Sequence, residues 1–218
     1  MTVPELAFTV TAVRPARLTA VPTLEFGLAV TREGGGPVRS VLLTTLIRIA
    51  PARRRYDHVH RLRLAELFGT PDRWAETLRP LVWTRLTTVV PPFDDRTEVT
   101  LAVPCTTDIQ LAVAKYFRAV DHGEVPLDFL FSGTVFHSAP GSGLNTAQIS
   151  WDSHTDFDLP AALWREATGR TGWIPLSADS YDRLDDFRAR HTLSSWDETA
   201  NALLDRAGAD ITGAPWTP

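Results

Sequence analysis

The chain has 218 residues, 44% of them hydrophobic and 22% charged, and a formal net charge of −4. That is enough apolar surface for a sizeable core, while the acidic balance excludes broad affinity for nucleic acid or anionic lipid, both of which need a basic field. A single cysteine, Cys105, excludes a disulfide within the chain and any multi-thiolate zinc or iron–sulfur site.

The first residues, MTVPELAFTVTAV, carry neither a basic leader nor a long apolar run. Neither a signal peptide nor membrane insertion is expected, and the expected location is cytoplasmic. Leu6, Phe8 and Val10 then fall on one face, with Thr9 and Thr11 on the other. Leu24, Phe26, Leu28 and Val30 alternate in the same way. This period of two marks half-buried strands. The glycines of TREGGGPVR read as a turn. Residues 40–49, SVLLTTLIRI, are β-branched and apolar on both faces, which predicts a central strand.

Residues 57–79 break the strand pattern. RLRLAELFG reads as a helix stopped by Gly69, and Thr70 with Pro71 starts a second short one. Strands resume at 81–90 and 97–104. In residues 108–120 the large apolar positions Ile109, Leu111, Val113 and Phe117 are all odd. With Val125, Leu127, Phe129 and Phe131 after the DHGE turn, they predict a β-hairpin. The helical composition of AVAKYFRAV keeps a helix over 108–120 as the alternative.

TAQISWDSHTDFDL is the last strand candidate. Asp158 is expected to cap a helix that ends at Gly169. Tyr181, Leu184 and Phe187 recur at helical spacing, and Ser195 with Glu198 forms a capping box for a helix ending at Gly208. The fold class is therefore α+β, since strands precede helices rather than alternate with them. An antiparallel β-sandwich-like domain spans 1–158, with a helical insertion at about 57–79. A helical segment, 159–208, is expected to pack on it, and 209–218 forms a tail that Trp216 could anchor.

Four places could carry function. Arg53, Arg54 and Arg55 run together before Tyr56. Asp57 and Glu66 dilute that charge, so the run suits a solvated loop or a protein-docking face better than a phosphate backbone. His58 and His60 have metal-like spacing, but on a helix positions i and i+2 point about 200° apart. In a strand, Asp152, His154, Asp156 and Asp158 would share one face and could hold a hard cation, with His137 as a fifth ligand. The same pattern also suits the polar outer face of an edge strand. Cys105 reads as a small buried thiol, since nothing pairs a base with it. No nucleophile elbow, dinucleotide-binding glycine pattern or phosphate loop is present. No catalytic residue and no cofactor is therefore assigned.

The ordered run RIAPARRRY, ELFGTPDRWAETLRPLVWT, VPPFDDRTEVTLAVPCTTD, AVAKYFRAVDHGEVPLDFLFSGTVF and SSWDETANALLDRA resembles an uncharacterised bacterial family. That family is frequent in actinobacteria and covers the chain from about Phe8 to Ala207. The resemblance carries an association with gene neighbourhoods of uptake-type NiFe-hydrogenases. It implies a non-catalytic accessory role with a protein partner, such as hydrogenase subunits or maturation factors, and supplies no site residues. A metal-handling protein using the Asp/His strand face and a chaperone-like holder are the alternative readings.

Overall fold

Eight strands form in the computed structural model, which describes residues 3–17, 19–105, 111–139, 143–169 and 176–207. The chain runs β1 (Glu5–Pro15), β2 (Thr23–Glu33), β3 (Val38–Ile49), α1 (His58–Phe68), α2 (Trp74–Thr77), β4 (Leu81–Val90) and β5 (Arg96–Pro104). It continues through α3 (Leu111–Ala119), β6 (Glu124–Ala139), β7 (Gly143–Gln148), β8 (His154–Pro160), α4 (Ala161–Thr168), α5 (Ala178–Arg190) and α6 (Trp196–Arg206).

Two antiparallel sheets result. One has the order β1-β2-β5 and the other the order β4-β3-β6, with β7 and β8 both on the far edge of β6. Leu24, Phe26, Leu28 and Val30 of β2 are fully buried, as are Val125, Leu127 and Phe129 of β6. The inner faces meet ring against ring. Phe8 stacks on Phe131 at 4.3 Å, and Phe26 meets Phe129 edge-on at 5.3 Å. This is an α+β sandwich, and β3 is central as its composition predicts.

β6 is 16 residues long, and no single strand covers its outer edge. β7 pairs with its second half and β8 with its first. Between them the Ile149 N–H donates to the Gly133 carbonyl at 3.0 Å and the Phe131 N–H to the Ser153 carbonyl at 2.9 Å. The predicted last strand is thus two strands. Trp151 lies in the turn between them and is 93% exposed. Asp158 belongs to β8 and caps nothing. Pro160 takes the N-cap position of α4 with no side-chain bond, and Gly169 ends that helix.

The first strand of the expected hairpin, over 108–120, is corrected where the chain is described, while its second strand lies in β6. Residues 111–119 are the helix α3, and 108–110 lie outside the described residues. Val113, Tyr116, Phe117 and Val120 are buried at helical spacing, while Leu111 is 60% exposed. The odd-numbered pattern arose because Val113 and Phe117, four apart, share a helix face as readily as a strand face. Phe117 stacks on Trp164 of α4 at 4.0 Å, within 3° of parallel, so α3 and α4 share the core of the sandwich.

The chain divides into two compact units, residues 1–173 and 174–218. α4 belongs to the first. In the second, the Ser195 hydroxyl accepts from the Glu198 N–H at 3.1 Å, and Tyr181 meets Trp196 at 5.3 Å. Glu198 returns its bond to the Ser194 N–H at 2.7 Å, one residue earlier than an ideal capping box. Gly208 and the predicted tail 209–218 with Trp216 lie outside the described residues. Among the described residues no helix is long and apolar enough to cross a membrane.

Candidate functional site

The arginine run follows β3 through a 3₁₀ turn, Pro51–Arg53. Two of its members are tied to β6. Arg53 donates to the Leu127 carbonyl at 2.8 Å and pairs with Asp128 at 3.0 Å and with Asp156. Arg48 completes that network at 2.7 Å from Asp128. Arg54 donates to the His122 carbonyl at 2.7 Å and to the Glu124 carbonyl. Arg55 is exposed and makes no ion pair or hydrogen bond among the described residues.

Tyr56 is buried rather than presented. Its hydroxyl lies 2.9 Å from the Pro51 carbonyl and 2.7 Å from the Tyr116 hydroxyl. Burial pushes both phenols up, Tyr116 to about 12.

Arg54, Arg55 and Arg61 line an open cleft of about 440 Å³, together with Tyr56, Trp74 and Leu78. Arg61 donates to the Tyr56 carbonyl at 3.1 Å. The Trp74 indole N–H is satisfied by the Gly69 carbonyl at 2.9 Å, which leaves its ring for apolar contact. None of the three guanidinium groups is paired with a carboxylate among the described residues. In a chain of net charge −4 the cleft is a local concentration of positive charge over an aromatic lining.

On the Asp/His strand face, Asp152, His154 and Asp156 line one opening of about 390 Å³ with Arg48, Asp128 and Trp151. Asp152 sits in the turn before β8 and accepts from the Ser150 hydroxyl, while His154 Nδ1 lies 2.7 Å from the Asp152 carbonyl. Asp156 is paired with Arg53, and Asp158 lines a second opening beside Arg53, Arg54 and Arg55. His154 faces Leu130 in the register, so His137 is seven residues further along β6, about 23 Å away.

A different set of side chains converges. Asp57 caps α1: its Oδ1 accepts from the His60 N–H at 2.8 Å. That leaves Oδ2 facing two imidazoles, at 3.1 Å from His60 Nδ1 and 3.5 Å from His122 Nε2. Asp121 mirrors the arrangement. Its Oδ2 holds Arg63 at 2.8 Å, and its Oδ1 lies 3.4 Å from His60 Nε2 and 2.8 Å from His122 Nδ1. The two rings are 4.4 Å apart and tilted by 34°.

His60 is 1% exposed, and its Nε2 makes no hydrogen bond. Arg63 first, then His122, holds the Asp121 carboxyl well below the usual carboxylate range. The His60 backbone N–H is the main cause that lowers Asp57. One donor atom from each of Asp57, His60 and His122 lies within 4.8 Å of the others, which the 152–158 set does not match.

Helical geometry does separate His58 from His60. The sequence pairing missed His60 with His122, 62 positions later. Asp-His recurs at 57–58 and at 121–122, but the first pair points to His58, which is not part of the cluster.

The profile of a family of unknown function, DUF6084, matches residues 3–212. No curated protein matches the chain. Among solved structures, a late embryogenesis abundant protein is 14% identical, with 73% of each chain covered and a TM-score of 0.29. β-Glucosidase 3B from Thermotoga neapolitana is 10% identical, covering 71% of this chain and 17% of that one, with a TM-score of 0.26. A CARDB domain from Pyrococcus furiosus, in complex with di-metal ions, is 13% identical over 67% of this chain and 92% of that one, with a TM-score of 0.23. At these TM-scores the likenesses bear on neither mechanism nor ligand.

Proposed function

The chain belongs to DUF6084, a family of unknown function, and from that premise we propose that it is a non-catalytic, cytoplasmic accessory protein that docks an acidic segment of a protein partner. The cleft of Arg54, Arg55 and Arg61 carries this reading, because among the described residues its guanidinium groups have no carboxylate partner, in a chain of net charge −4. Arginine makes bidentate bonds to carboxylates, and arginine with tryptophan is typical of the residues that dominate docking interfaces. An acidic side chain would meet Arg55, and an apolar neighbour would lie on Trp74 and Leu78. The family resemblance makes hydrogenase subunits and their maturation factors the first partners to test.

Arg53 and Arg54 hold β6, so replacing them confounds docking with folding. Arg55→Glu and Arg61→Glu reverse charge at the cleft instead. A tagged chain should retain a defined partner from its native host, and Arg55→Glu should lose that partner by at least about tenfold with an unchanged melting temperature. Equal retention by both charge-reversed variants would overturn the reading.

A further inference from the structure

We propose that Asp57, His60 and His122 form a binding site for a single zinc-class divalent cation, with Asp121 as the outer carboxylate that orients both imidazoles. The donor set fits that ion: two imidazoles and a carboxylate suit zinc and its first-row neighbours, whereas magnesium and calcium want oxygen ligands alone.

The spacing fits as well. Tetrahedral zinc with ligands at about 2.0–2.1 Å places donor atoms about 3.3 Å from one another. Asp57 Oδ2 already lies 3.1 Å from His60 Nδ1 and 3.5 Å from His122 Nε2. Three protein ligands leave a fourth position for water or a donor from a partner.

The surrounding bonds select one face of the histidine pair. His122 Nδ1 is 2.8 Å from Asp121 Oδ1, so that nitrogen takes the proton and Nε2 keeps the lone pair turned toward Asp57. Cation binding calls for the opposite tautomer in His60, with Nε2–H directed at Asp121 and Nδ1 at Asp57. Metal-bound histidines commonly donate their second N–H to a carboxylate in this way.

The arrangement also accounts for the buried His60 Nε2 that makes no hydrogen bond. A cation on Nδ1 polarises the opposite N–H and draws it onto Asp121, 3.4 Å away. Arg63 holds the other oxygen of that carboxylate at 2.8 Å and so fixes its orientation. Entry is open, because the Asp57 and His122 side chains are 49% and 66% exposed.

The test is a titration of the full-length, tag-free, chelator-treated protein with Zn²⁺ by calorimetry, and with Co²⁺ by visible absorption. One equivalent should bind, and Co²⁺ should show the intense bands of a tetrahedral site. Asp57→Asn retains a capping side chain but loses the charged ligand, and His122→Ala removes an exposed ring. Each should weaken affinity by at least about 100-fold, and Asp121→Asn by about 10–100-fold. His154→Ala on β8 should leave binding unchanged.

Absence of Zn²⁺ binding by the parent protein would overturn the proposal. So would binding that survives His122→Ala, or binding lost in His154→Ala. These readouts involve no protein partner, so they stand or fall independently of the docking cleft.

Discussion

Gly133 occupies a position in β6 that no side chain can share. Its φ is +146°, and a Cβ there would lie 2.0 Å from the Leu42 carbonyl oxygen of β3. Gly133→Ala must push two central strands apart, and should cost at least about 3 kcal/mol in a denaturant melt. Cys105 is constrained differently. It is buried without charge, and desolvation raises its thiol to about 12. Tyr116 is raised to about the same value by the same cause. Both folded pKa values lie above the ordinary 9.0 and 10.0. Their contribution to stability is therefore complete below about pH 9 and is lost as the pH rises toward about 12. Chemical unfolding at about pH 8 and pH 11 should show a lower midpoint at the higher pH. A thiol reagent should not modify Cys105 in the native protein at about pH 8.

At the scale of elements, termini carry much of the chemistry. Ser195→Ala removes the cap of α6 and should cost about 1 kcal/mol, read as faster hydrogen exchange along 196–206. Asp57 caps α1 and also faces the histidine pair. The positive end of a helix opposes a cation by about 0.3–1 kcal/mol, which explains why such a site needs carboxylates on both sides. The strands were legible because burial on one face writes a period of two into Leu24 to Val30 and Val125 to Phe131. α3 was misread because a four-residue helical repeat also falls on odd positions. The β7–β8 break was hidden because Trp151, set between Ser150 and Asp152, continues the apolar–polar alternation of a strand through the turn. His60 and His122 could not be paired from spacing at all. Their proximity depends on α1 packing beside the turn that enters β6, a long-range result that local pattern does not encode.

Across the first unit, Arg54 links the two regions that carry the functional readings. Its guanidinium lines the cleft while donating to the carbonyls of His122 and Glu124, which brace the turn that presents the second imidazole. Gly123, at φ +72° with Arg54 packed over it, lets that turn pass. Arg54→Ala should therefore lower the melting temperature together with Zn²⁺ affinity and partner retention, whereas Arg55→Glu should affect retention alone. Paired calorimetry and pull-down on the two variants separate these effects. The frame that holds both regions is the aromatic core: Trp164→Ala removes a stacked, buried ring and should cost about 3–5 kcal/mol in a thermal or urea melt.

The ion pair between Lys115 of α3 and Glu66 of α1 has a consequence for covalent chemistry. Lys115 is the only lysine in the chain, so acylating reagents find one side-chain amine, at the seam between the two helices. A neutral acyl group there would release Glu66, and a dye attached at that amine would report the separation of α1 from α3.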